Sequence, residues 1–142
     1  MKRLSDTVMV AGQIAPEEVG PLAEAGLKLI VNNRPDGEEP GQPPSAAIEA
    51  AAEAAGVAYA HIPIAAGFSE DKVEALRDLL ADAPGQVLLF CRSGTRSACL
   101  WALARARDGV DADEIVGRAA RAGYDVRPLL PWLKPAATRP NR

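Results

Sequence analysis

The side chains best suited to chemistry in this sequence are consecutive: Cys91, Arg92, Ser93, Gly94, Thr95, Arg96 and Ser97. A cysteine attacks as its thiolate, a form favoured by a helix N-terminus and by neighbouring guanidinium groups. Cys91 is expected to have both. Gly94 can adopt backbone conformations closed to other residues, so the N–H groups of the loop can curl into a nest around the sulfur and a bound oxyanion. Arg96 closes the ring with a planar fork that a lysine could not reproduce. The hydroxyls of Ser93, Thr95 and Ser97 can steady the thiolate or the loop. Cys91 and Arg96 are therefore the expected catalytic pair, and Arg92, Ser93, Gly94, Thr95 and Ser97 the rest of an anion-binding loop.

Such a loop needs a rigid strand behind it and a helix ahead. Residues 86–90 (Gln, Val, Leu, Leu, Phe) read as a strand buried on both faces, entered by a Pro84-Gly85 turn. A helix is expected over residues 97–107. Upstream, an edge strand is expected at residues 7–10, a helix from Pro16 to just before Gly26, and a buried strand at 27–31. A helix with Ser45 as N-cap should run to Ala55, followed by a strand over 57–64 that Pro63 ends or bends. Ser69 caps a third helix reaching residues 81–83. A last helix spans 113–122, and the proline-bearing tail from Arg127 packs Leu129, Leu130, Trp132 and Leu133 before fraying. Glycines at 26, 56, 109 and 123 look like helix ends. Strands alternating with helices imply an α/β fold with a mostly parallel central sheet and helices on both faces. Ligands of such sheets bind beyond the strand C-termini, where Cys91 falls.

The 142 residues suit one domain covering 1–142, and with only six aromatic residues its core must be built mainly from aliphatic side chains. The N-terminus has no apolar run of signal-peptide or membrane-span length, so a cytoplasmic protein without membrane association is expected. Two cysteines and a single histidine make a structural disulfide, a metal site and any cofactor improbable expectations. Residues 1–90 carry 6 basic and 14 acidic side chains and residues 91–142 carry 10 and 5, so the half holding Cys91 is positive. That field favours anionic substrates, although Arg105, Arg107, Arg118 and Arg121 are spaced as a solvated helix face. No aromatic residues interleave with these cations, which speaks against nucleic acid.

Two resemblances arise from these residues. The loop from Cys91 to Arg96 resembles that of rhodanese sulfurtransferases, in which four residues separate cysteine from arginine, whereas cysteine phosphatases have five. Residues 13–64 are similar to the phosphatase-like domain of the beta-lactamase hydrolase-like family. The resemblance is carried by Asn32-Asn33-Arg34-Pro35-Asp36-Gly37-Glu38-Glu39-Pro40-Gly41-Gln42 and His61-Ile62-Pro63-Ile64. It implies a dual-specificity-phosphatase-like fold, in a family whose members have been labelled both sulfur transferase and phosphatase. Some longer relatives join this domain to a persulfide-oxidising module, which favours sulfur chemistry.

A phosphatase of this fold presents an aspartate after the strand ending at Ile64, yet residues 65–68 are Ala, Ala, Gly and Phe. General acids are worth roughly 10²–10⁴ in rate, so Glu70, Asp71 or Asp36 would have to substitute. The expectation is therefore a sulfurtransferase that forms a persulfide on Cys91, with a small anionic sulfur donor and a thiol acceptor. The alternative is a phosphatase that forms a phosphocysteine from a phosphate ester. Arg34 and Asp36 either border the pocket, or Arg34 forms a surface ion pair with Asp36 or Glu38, and Phe68 either walls the pocket or packs in the core. His61 should orient the loop from behind, and Cys99 should be a core residue. Oligomeric state is not legible.

Overall fold

The computed structural model describes residues 1–134. Five strands form one sheet: β1 (Lys2–Arg3), β2 (Val8–Ala11), β3 (Leu27–Asn32), β4 (Ala58–His61) and β5 (Gln86–Phe90), in the order β1-β2-β5-β3-β4. All neighbours run parallel except β1, which pairs antiparallel with β2. The helices are α1 (Val19–Glu24), α2 (Ser45–Ala54), α3 (Glu70–Asp82), α4 (Thr95–Arg107), α5 (Ala112–Arg121) and α6 (Leu130–Leu133), with short 3-10 turns at Pro16–Glu18 and Arg127–Leu129.

The sheet has helices on both faces because its central strands are apolar on both. Alternate side chains of a strand point to opposite faces, and Val87 and Leu89 join a core with α3, α4, α5 and α6, while Leu88 and Phe90 join Ile30, Val19, Ile48 and Ala52 under α1 and α2. Trp101, on α4, is the largest wholly buried side chain and belongs to the first of these cores. Among the described residues no helix is long and apolar enough to cross a membrane.

Several elements differ from the sequence reading, among them the helix expected from Pro16, which opens as a 3-10 turn and is α-helical only from Val19. Lys2–Arg3 forms a two-residue edge strand with no hydrophobic signal, both side chains being exposed. The strand expected over 57–64 is regular only over Ala58–His61, since Pro63 cannot donate to a ladder. It stays tied to β3 nonetheless, through Ile62 N–H to Asn32 O (2.8 Å) and Ile64 N–H to Asn33 O (2.9 Å). Ser45 is the first residue of α2 rather than its cap. Helix α4 starts at Thr95, two residues before the expected start, which puts Arg96 and Ser97 in its first turn. The expected fraying of the chain end falls on residues 135–142, outside the described residues.

Candidate active site

Strand β5 delivers Cys91 to the C-terminal edge of the sheet, fully buried, with its N–H on Ala11 O (3.4 Å). The chain then turns through Arg92, Ser93 and Gly94 into α4. Gly94 is the N-cap and has φ 94°, a left-handed conformation that strains any residue with a Cβ. In that conformation its N–H points at Cys91 Sγ across 3.0 Å. The Ser93 and Thr95 hydroxyls lie 3.1 Å apart and bond to each other.

Arg96 reaches back over the loop, and its orientation follows from counting donors. A guanidinium has five N–H bonds. Nη1 donates to Glu38 Oε2 (2.8 Å) and to Ile64 O (2.7 Å), and Nη2 donates to Glu38 Oε1 (2.8 Å). Nε–H and the second Nη2–H form the remaining edge, and because the guanidinium also hydrogen-bonds the Cys91 side chain, that edge lies on the side of the sulfur, where an oxyanion would be bound. Glu38 is first among the causes that raise the Arg96 pKa, burial opposes it, and the neighbouring Cys91 adds to it.

Glu38 is anchored in turn by Arg34, whose Nε donates to Glu38 Oε1 at 2.9 Å. Arg34 is 2% exposed and also binds Gln13 (3.0 Å) and Glu39 (2.8 Å), while Glu39 lies 3.4 Å from Arg92. Three arginines and two carboxylates thus interleave beside the cysteine. Hydrogen bonding from Arg96, against the opposing effect of burial and with help from Arg34, holds the Glu38 carboxyl down at about 2. Arg34 first and Arg92 next lower that of Glu39.

Behind the loop, Ser97 Oγ donates to Asn33 Oδ1 (2.8 Å), Asn33 Nδ2 donates to Ile62 O (3.0 Å), and Asn33 N–H bonds Phe90 O (2.8 Å). A hydroxyl has one proton, so Ser97 ties α4 to β3 rather than donating to the sulfur. His61 Nε2 bonds Arg34 O at 2.8 Å, supporting the acidic loop from behind.

The pocket residues expected from the sequence separate. Arg34 is in an ion pair, but a buried one that reaches Arg96 through Glu38. Asp36 Oδ1 accepts from Ser45 N–H at 2.7 Å and so caps α2. Phe68 packs on the core and lines a cavity of about 340 Å³ with Gly67, Leu103, Leu129 and Trp132. Leu103 lies seven residues beyond Arg96 on α4, about 10 Å along the helix. The other acids considered as proton donors are occupied too. Glu70 pairs with Arg107, at the far end of α4 from Cys91, and Asp71 is held below its ordinary pKa by the Ser69 hydroxyl. Cys99 is half-buried, and burial first, then the nearby Cys91, push its thiol up to about 11. The helix-face arginines Arg105 and Arg118 pair with acids, Asp108 (2.9 Å) and Glu114 (3.1 Å), whereas Arg92 and Arg96 belong to the loop itself and pair with Glu39 and Glu38.

Three contributors escape a reading of the sequence alone, Gln13, Asn33 and Tyr124, while Glu38 is expected there only as a surface partner of Arg34. Each lies far along the chain from Cys91, and none carries a local pattern beyond membership of the Asn-rich and acidic stretch at 32–42.

The model of the family described as "Beta-lactamase hydrolase-like protein, phosphatase-like domain" matches residues 1–108. The beta-lactamase hydrolase-like protein of Xylella fastidiosa strain Temecula1 is 36% identical over 141 residues, covering 98% of this chain and 33% of the relative. That of Agrobacterium fabrum is 35% identical over 134 residues, covering 93% and 31%. The chain therefore spans about a third of the length of these curated relatives. Among solved structures, a candidate phosphatase from Neisseria meningitidis superposes with a TM-score of 0.81 at 36% identity, covering 94% of this chain and 95% of that one. Tk-PTP in its active form superposes with a TM-score of 0.66 at 19% identity, a likeness of fold alone. The fold is cysteine-phosphatase-like. The family model and the Neisseria structure side with the phosphatase alternative rather than with the sulfur transfer that the loop spacing suggested first.

Proposed function

The chain belongs to the family of the phosphatase-like domain of beta-lactamase hydrolase-like protein, and from that premise we propose that it is a cysteine-dependent phosphatase acting on phosphate monoesters. The observation that carries this reading is that Cys91 Sγ receives the Gly94 N–H at 3.0 Å and interacts with the guanidinium of Arg96, which Glu38 holds from its other end. In this mechanism the Cys91 thiolate attacks phosphorus, a P–S bond forms and the ester P–O bond breaks. Water then attacks phosphorus, releasing phosphate and regenerating the thiolate. Preorganised donors aimed at the charge on the transferring group supply most of the stabilisation in such a step.

Among the described residues, none of the acids beside the loop is placed to protonate the leaving oxygen. Residues 65–68 carry none, and Glu38, at about 2, is ionised across the physiological range. The leaving group must then depart as its anion. Phenols, ionising near 10 as tyrosine does, can do so far better than alkyl alcohols, so aryl phosphates are the substrate class proposed. The test is hydrolysis of an aryl and an alkyl phosphate by wild type and Cys91→Ser. Cys91-dependent turnover of the aryl ester, with little on the alkyl ester, is expected. No turnover of either would refute the reading.

A second reading is favoured by the four-residue spacing and by that same lack of an acid: sulfur transfer. The Cys91 thiolate would attack the outer sulfur of thiosulfate, forming the persulfide and releasing sulfite with its electron pair. Intact mass after incubation with thiosulfate tests it, since one added sulfur that is missing in Cys91→Ser would establish this chemistry.

A further inference from the structure

The loop carries its N–H groups inward only if its carbonyls are held outward, because C=O and N–H of a trans peptide point in opposite directions. Two consecutive carbonyls are held in this way. Arg92 O accepts from Gln13 N–H at 3.2 Å, and a Cβ on Gly12 would come within 2.9 Å of it, so the chain just beyond β2 passes close behind the loop. Ser93 O accepts from the Tyr124 hydroxyl at 3.1 Å. The Ser93–Gly94 peptide thus has the phenol on its carbonyl side and Cys91 Sγ on its N–H side.

Tyr124 is itself firmly placed. It follows α5, its N–H bonds Ala119 O at 2.9 Å, and its ring packs against the core. A Cβ on Gly94 would sit 2.2 Å from the phenol oxygen, so the tyrosine occupies the space that only a glycine leaves open. If this peptide turned over, its carbonyl oxygen would face the thiolate and any bound anion. We infer that Tyr124 is a positioning residue that holds the Ser93–Gly94 peptide with its N–H aimed at the Cys91 sulfur. The inference rests on the reading of Cys91 as the nucleophile, whichever group it transfers. It gives Gly94 a second task beyond its left-handed turn: it admits the hydroxyl that fixes the peptide.

The charged and titratable groups around Cys91 are Arg92 in the loop, Arg96 and Cys99 on α4, Tyr124 itself, and Glu38 acting through Arg96. Tyr124→Phe removes one O–H and leaves the others. The experiment is the pH dependence of Cys91 alkylation by iodoacetamide, followed by peptide mass to separate it from Cys99. Tyr124→Phe should move the midpoint upward by about 0.5–1 pH unit, the direction expected when a hydrogen bond to the thiolate weakens, with thermal unfolding close to wild type. Tyr124→Trp, which keeps the aromatic packing but cannot place a donor at the same point, should shift in the same direction. An alkylation profile unchanged in both variants would overturn the inference while leaving the proposed function untouched. A shifted profile in a protein that turns over neither phosphate ester nor sulfur donor would uphold the clamp and refute the proposed function.

Discussion

Two loops flank the cysteine loop, and their contrast defines the site. The long connection between β3 and α2 is acidic and places Glu38 and Glu39 among Arg34, Arg92 and Arg96. The short connection between β4 and α3 offers Ala65, Ala66, Gly67 and Phe68, with Phe68 turned to the core. Carboxylates are thus present where they orient cations, and none is supplied where a leaving group would need a proton. An acid that shares hydrogen bonds with two guanidinium groups is held ionised, so proximity to the nucleophile does not make Glu38 a proton donor. Its carboxylate fixes the face that Arg96 presents.

The sharpest way to break this contrast is at the arginine. Arg96→Lys keeps the charge but loses the fork, so both the bond pair to Glu38 and the edge presented to the anion disappear together. Turnover of an aryl phosphate should fall about a hundredfold or more, the scale of losing an oxyanion donor, with circular dichroism unchanged. Near wild-type turnover would mean that Arg96 serves only to hold the acidic loop.

Glu38→Gln probes the other partner and should cost less, about tenfold in kcat, because the arginine keeps its charge but loses its fixed orientation. Phosphate inhibition should hold or strengthen, since a negative charge beside the site has gone. Falling kcat with undiminished anion binding separates a positioning role from loss of the pocket. A related expectation concerns pH. The Glu38 carboxyl sits at about 2 against an ordinary 4.5. A depressed carboxyl stabilises the fold fully above its unfolded value and loses that contribution as pH falls toward the folded one. The pair should therefore persist from pH 5 to 8, and kcat should show no loss of a protonated carboxylic acid across that range. An alkaline limb with a midpoint near 6 would reveal a general acid that the two loops do not supply.

The apolar loop has its own test. Phe68→Ala should lower stability by about 1–3 kcal/mol, less than for a wholly buried aromatic residue, while leaving kcat on a small aryl phosphate near wild type. A large loss in kcat at unchanged stability would return Phe68 to the wall of the substrate pocket.

What the sequence revealed and what it concealed divide along the same line. The Cys91–Arg96 loop, the buried strand before it and the two-faced sheet were legible because each rests on local order: an apolar run, a glycine-bearing polar turn, strands alternating with helices. The roles of Asp36, Glu38 and Phe68 were not, because each depends on a partner distant in sequence. Glu38 meets Arg96 across 58 positions, and Asn33 meets Ser97 across 64. Residues 32–42 contain three acids near Arg34, and nothing in their order says which of them faces α4 and which faces α2. Likewise the start of α4 at Thr95 follows from Gly94 taking φ 94°, a choice that hydrophobic periodicity does not encode.

Asp36 provides the mildest and most discriminating substitution, because it lies in the same acidic loop as Glu38 and yet has a different partner. Its Oδ1 accepts from Ser45 N–H at 2.7 Å, satisfying one of the N–H groups that the first turn of α2 cannot bond within the helix. The contact resembles an N-cap bond, although it comes from nine residues upstream rather than from the cap position, which Pro44 occupies without a side-chain acceptor. Loss of such a cap costs about 0.5–2 kcal/mol. Asp36→Ala should therefore lower the urea midpoint modestly and leave kcat on an aryl phosphate within about twofold of wild type, a span worth well under the 1.36 kcal/mol of a tenfold change. Asp36→Asn, which keeps an acceptor oxygen, should recover most of the lost stability. If Asp36→Ala instead suppressed kcat as strongly as Glu38→Gln does, the acidic loop would be acting as one unit, and the separation between its cation-orienting and helix-capping carboxylates would fail.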